Sequence, residues 1–96
     1  MTILYALRSE NWISEYRSFG FVGDPSSDLY YFHWMPKLKM ARLYKHYSSA
    51  YRRQKQLRDK LLVQTRVVKI CLSFDSNNDI HYDVVETYGY MPLIAS

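Results

Sequence analysis

Residues 36–64 read PKLKMARLYKHYSSAYRRQKQLRDKLLVQ, and they decide the fold. Nothing in this stretch breaks a helix after Pro36, which can stand in a first turn because that turn has no use for its missing N–H. Met40, Leu43, Tyr44, Tyr47, Ala50, Tyr51, Leu57 and Leu61 recur at steps of three and four, the period of an amphipathic helix, and Gln54 interrupts the stripe once. One unbroken helix here would be about 43 Å long. A domain of this size has a radius of gyration near ~13 Å. The helix therefore projects beyond the domain or breaks, and Ser48-Ser49 is the expected weak point.

Charge is concentrated in nearly the same stretch, from Lys37 to Arg66. Lys37, Lys39, Arg42, Lys45, Arg52, Arg53, Lys55, Arg58, Lys60 and Arg66 stand against Asp59 alone, a balance of +9. The rest of the chain sets Arg8, Arg17 and Lys69 against eight acids, a balance of −5. The modest overall +4 thus conceals a strongly basic helix beside an acidic remainder.

On the C-terminal side, Val68, Ile70, Leu72 and Phe74 alternate with Val67, Lys69, Cys71 and Ser73. This is a strand with one core face and one mixed face. Asp75-Ser76-Asn77-Asn78-Asp79 is a turn, and alternation resumes at Ile80, Tyr82, Val84, Glu86 and Tyr88, which gives a β-hairpin. On the N-terminal side residues 2–7 read as a strand. Ser9 is placed to cap a short helix through about Ser18 that carries Trp12, Ile13 and Tyr16 on one face and closes at Gly20. A turn at residues 23–27 leads to the apolar run 29–34, expected as a central strand. The expected fold is a single α+β domain over residues 1–96. Its order is β-α-β-α-β-β, with one long basic helix packed on a small sheet that ends in a hairpin.

Composition supports a packed core, with 48% hydrophobic and 17% aromatic residues, unlike a disordered chain. No apolar run approaches the roughly 18 residues of a membrane span, and the start of the chain lacks the pattern of a secretion signal. Cys71 is the sole cysteine, which excludes an internal disulfide and suits a reducing compartment; the expected location is the cytoplasm.

Asp75, Asn77, Asp79, Asp83 and Glu86 occupy the first, third, fifth, ninth and twelfth places of a calcium-loop window, but Ile80 stands where the sharp turn needs Gly. Polar residues at a hairpin tip account for the same pattern. His33, His46 and His81 have no ligand partners at metal spacing, and Cys71 suits a buried structural cysteine. No catalytic residue, metal or cofactor is assigned.

The basic helix carries the functional expectation. Lys45, Tyr51, Arg52, Arg53, Lys55 and Arg58 combine cations with an aromatic ring, a pairing that suits an acidic protein surface or the phosphates and bases of nucleic acid. The structural alternative is a solvated basic face with its tyrosines packed inward. The leading expectation is a small non-enzymatic regulator, an inhibitor or adaptor, that engages an acidic protein or nucleoprotein partner. Direct nucleic-acid binding is the alternative. A homodimer that lays the basic helix on the acidic hairpin of a second copy is also expected.

The succession Ile3-Leu4-Tyr5, a helix ending at Phe19-Gly20-Phe21, Leu29-Tyr30-Tyr31-Phe32 and a helix containing Ala41 and Tyr44 resembles the front half of an ADP-ribosyltransferase domain. The resemblance implies an NAD-binding domain, active or degenerate, with Tyr31 against nicotinamide and Glu86 polarising the ribose hydroxyl. Arg8 would reach NAD only from a bulged strand. Ala6 stands where that family usually shows His or another NAD-contacting residue.

Overall fold

The computed structural model describes residues 2–23 and 33–90. Five strands form one antiparallel sheet in the order β3-β2-β1-β4-β5, and one helix packs on it. The elements are β1 (Thr2–Ile13), β2 (Ser18–Val22), β3 (Trp34–Met35), α1 (Tyr47–Leu61), β4 (Thr65–Phe74) and β5 (Ile80–Tyr90), with a single 3₁₀ turn at Leu38–Met40. This is the expected α+β domain, with its helix followed by a terminal hairpin.

The two apolar phases of the strands are both used. Ala6 and Leu7 are neighbours in β1 and point to opposite faces. Leu7, Val22 and Val67 lie under Ala50 and Leu57 of α1. Ala6, Val68 and Ile70 lie under Ala41, Leu38 and Leu43. The segment before α1 therefore covers one face of the sheet and α1 the other. Tyr44 marks the crossing: its N–H and carbonyl pair with the carbonyl and N–H of Tyr5 at 2.7 and 2.8 Å.

That crossing corrects the expected long helix. Chain 41–46 is extended rather than helical, and α1 is 15 residues long, about 22 Å. β2 ends at Val22, which leaves main-chain groups along that edge of β1 to be satisfied. Tyr44 takes those of Tyr5, and the Arg42 N–H reaches the Val22 carbonyl at 3.0 Å. Ser48 and Ser49, the expected weak point, sit in the first turn of α1, and the break lies before them.

Residues 9–18, expected as a helix, continue β1 and turn into β2. Ser9 is buried, and its hydroxyl accepts from the Gly20 N–H at 2.9 Å instead of capping a helix. It does so beside the point where the β1–β2 register shifts, between Arg8 and Trp12. A turn closed by Tyr16 N–H to Ile13 O, with Arg17 in the left-handed region, joins the strands. Gly20 lies within β2, where a Cβ would stand 2.4 Å from Ile13 Cδ1 and 3.2 Å from Trp34 Cε3. Close packing, not helix termination, calls for glycine there. Of the expected strand 29–34, residues 29–32 lie outside the described residues, and Trp34 opens β3.

Leu62 closes α1 in the left-handed conformation, its N–H and that of Val63 bonded to the Arg58 and Leu57 carbonyls. No helix among the described residues is long and apolar enough to cross a membrane.

Candidate binding surface on α1

The period of α1 sorts the six expected residues. Ala50, Arg53, Gln54 and Leu57 are the buried positions, so the ridge opposite them is the one presented outward. Tyr51, Arg52 and Lys55 stand on that ridge and are exposed. Lys45 is exposed in the extended segment just before the helix. Arg58 is half-buried and donates its Nε–H to Asp59 at 2.8 Å. Arg53 is 7% exposed and turned inward, with Nη1 donating to Gln56 Oε1 at 2.6 Å. Four of the six thus contribute to one outward region, and Arg53 belongs to the packing.

The basic stretch as a whole is divided. Lys37 precedes the 3₁₀ turn and Lys39 lies within it, and Arg42 lies 5.6 Å from the Tyr44 ring. Arg66 is on β4, where Nε and Nη2 donate to the two carboxylate oxygens of Glu10 at 2.8 and 2.9 Å. This bidentate pair holds the Glu10 carboxyl below the usual carboxylate range. On α1 itself five basic residues stand against Asp59, a balance of +4 rather than the +9 of the linear stretch.

A feature of the surface lay outside the sequence reading. Tyr47, expected in the core stripe, is exposed and central to a cluster of rings. It meets Tyr5 edge-on at 6.0 Å, Tyr88 at 4.9 Å, and stacks with Tyr51 at 6.0 Å with 27° between planes. The spacing of four between Tyr47 and Tyr51 would have revealed the stacked pair once the helix start was fixed. Tyr5 and Tyr88 join only through the sheet order. Burial pushes the Tyr88 phenol above its ordinary range, and the neighbouring Glu86 carboxylate adds to this. The result is a rigid aromatic ledge, its outer end formed by Tyr47 and Tyr51, flanked by Lys45, Arg52 and Lys55. Such a surface supplies phenol hydroxyls, ring faces and cations without a large entropic cost of ordering, because the rings already brace one another.

The hairpin acids have local structural roles. Asp75 Oδ1 accepts the Asn77 and Asp79 N–H groups at 2.8 and 3.0 Å, and Oδ2 meets His81 Nε2 at 2.8 Å. Among the described residues no group of three His, Cys, Asp or Glu side chains is placed to hold a metal ion. Register puts Arg8 opposite Arg66 and Glu86 opposite Lys69, so Arg8 and Glu86 project from opposite faces of the sheet. Tyr31 lies outside the described residues.

Compared with protein-family models, curated proteins and solved structures, the chain matches none.

Proposed function

We propose that this chain is a small non-enzymatic binding module whose α1 ridge engages an acidic surface of a protein or nucleoprotein partner, as an inhibitor or adaptor would. The observation that carries this reading is the exposed Tyr47–Tyr51 stack beside Arg52 and Lys55. Tyr and Arg are the residue types that dominate interface energetics, and a cationic rim steers acidic partners toward them. The single half-buried Cys71 fits work in the reducing cytoplasm.

Single-stranded nucleic acid is a second reading, favoured by the same stack, since exposed rings among cations also accept unpaired bases. Two probes separate the readings: a polyglutamate peptide and an oligothymidylate, each titrated at low and high salt. Arg52→Glu with Lys55→Glu is expected to remove binding of either probe while the melting temperature holds. Tyr51→Ala is expected to weaken the oligonucleotide much more than the peptide if bases stack. Absence of binding to both probes at low salt would end the proposal.

The chain offers one acidic partner of its own. Residues 74–90 contain Asp75, Asp79, Asp83 and Glu86 and neither Lys nor Arg. A reciprocal dimer would set α1 of each copy on the hairpin of the other. Sedimentation at high protein concentration checks this, and a monomer throughout the range rules it out.

A further inference from the structure

β5 is the last strand of the sheet, and among the described residues no strand pairs with its outer edge. Sheets usually blunt such an edge with lysine, with proline or by keeping the strand short. β5 is 11 residues long, and none of them from Ile80 to Tyr90 is Lys, Arg or Pro. Its register against β4 runs unbroken from Phe74↔Ile80 to Ile70↔Val84, and the irregularities lie beyond Ile70, toward Arg66. Residues 80–84 are therefore a regular stretch of open edge.

The phase of the ladder shows what this edge presents. At the hairpin turn the Asp75 N–H donates to the Asp79 carbonyl at 3.1 Å. Bonded and non-bonded pairs alternate along an antiparallel ladder, so Ser73–His81 and Cys71–Asp83 are the bonded pairs. Ile80, Tyr82 and Val84 then turn their N–H and carbonyl groups outward. Their side chains share one face of the sheet with their opposite residues Phe74, Leu72 and Ile70. That face is open toward the hairpin turn, where Phe74 is 67%, Ile80 49% and Val84 46% exposed. His81 and Asp83 project from the other face.

The geometry points to a second copy of this chain as the occupant of the edge, with the two β5 strands antiparallel about a two-fold axis at Tyr82. In this register Tyr82 meets Tyr82 and Ile80 meets Val84, so the three residues with outward main-chain groups all pair with one another, each pair exchanging two hydrogen bonds. The open apolar patches of the two copies become one surface. On the other face His81 of each copy stands opposite Asp83 of its mate, Asp79 opposite Val85 and Glu86 opposite Asn78, so no two carboxylates face each other. An axis at Val84 would instead set Tyr82 against Glu86 and carry the pairing into the irregular part of the strand. An axis at Ile80 would pair Tyr82 with Asn78 of the turn. A two-fold contact is closed, so it joins two five-stranded sheets into one of ten strands and does not grow further.

Five residues from each copy make a small contact, and a micromolar or weaker dissociation constant is expected. Sedimentation from micromolar to submillimolar protein should show a monomer–dimer equilibrium that persists at high salt. A dimer held by α1 on the acidic hairpin would dissolve there, because its attraction is screened. Val84→Lys sets a charge into the pairing and should raise the dissociation constant at least tenfold with unchanged circular dichroism. Arg52→Glu with Lys55→Glu should leave it unchanged. In a Cys71→Ser background, Tyr82→Cys should form a disulfide-linked dimer on mild oxidation, since the axis brings these two Cα atoms to about 5.5 Å. Val85→Cys, placed opposite Asp79, should not. A monomer throughout the range at high salt, wild-type dimerisation in Val84→Lys, or equal cross-linking at positions 82 and 85 refutes the edge pairing. Polyglutamate and oligothymidylate report the α1 ridge, so either surface can fail while the other stands.

Discussion

The Gln54 amide donates its Nε2–H to the Thr65 carbonyl, 2.7 Å away, from within the buried stripe of α1. Both residues are buried, and the bond ties the helix to the first residue of β4. The polar interruption in the apolar stripe is thus a strap between α1 and the sheet. Gln54→Leu keeps the volume but leaves the Thr65 carbonyl without this donor, a loss worth about 1–3 kcal/mol. Urea unfolding of the two proteins measures it. A difference under about 0.5 kcal/mol would mean that water or a shifted neighbour replaces the amide.

Arg52 and Arg53 are adjacent in sequence and opposite in consequence. Arg52 is exposed on the ridge, so Arg52→Ala should change stability by no more than about 0.5 kcal/mol while weakening anionic probes. Arg53 is turned into the packing, and its aliphatic stem and guanidinium both contribute there. Arg53→Ala should therefore destabilise by about 1–3 kcal/mol. Paired melting and binding curves separate the two effects. Equal stability losses at both sites would contradict the assignment of faces.

Much of the second half of the fold was legible because its signals are local. The alternation through β4 and β5 and the helical stripe over Ala50, Leu57 and Leu61 each have one economical reading. Residues 9–18 were not legible, because Ser9 before Trp12, Ile13 and Tyr16 satisfies a helix pattern as well as a strand pattern. The choice is made by pairing of Ser9 with distant Thr65 and by the Gly20 N–H seeking the Ser9 hydroxyl. The helix start was hidden for the same reason: Tyr44 bonds to Tyr5, a partner far away in the chain. The ridge residues Tyr51, Arg52 and Lys55 could be picked from charge and ring content. The inward turn of Arg53 depends on helix phase.

Gly20 tests the β1–β2–β3 packing. In Gly20→Ala the new methyl group would stand 2.4 Å from Ile13 Cδ1, which must swing away, and 3.2 Å from the Trp34 ring, a tight contact that obliges the indole to give by a few tenths of an ångström. The expected cost is about 1–3 kcal/mol, the range for overpacking in a core. Trp34 emission should move with it, which melting alone would not register. An unchanged melting temperature and spectrum would show that Ile13 and Trp34 yield freely.

The Glu10–Arg66 pair gives the fold a defined acid sensitivity. The Glu10 pKa is lowered chiefly by the hydrogen bonds from Arg66, so folding is favoured while Glu10 is ionised. That contribution is complete above the unfolded-state value near ~4.3. It is lost as pH falls through the lower folded-state value. Glu10 and Arg66 are both partly solvated, 23% and 30% exposed, so solvent screening limits the pair to about 1 kcal/mol. Glu10→Gln removes the titrating group but keeps the shape. The difference in unfolding free energy between wild type and Glu10→Gln should therefore be largest at neutral pH and shrink below pH ~4. Thermal or urea melts across that range measure it, and a difference independent of pH would show that Arg66 gains nothing from the charge on Glu10.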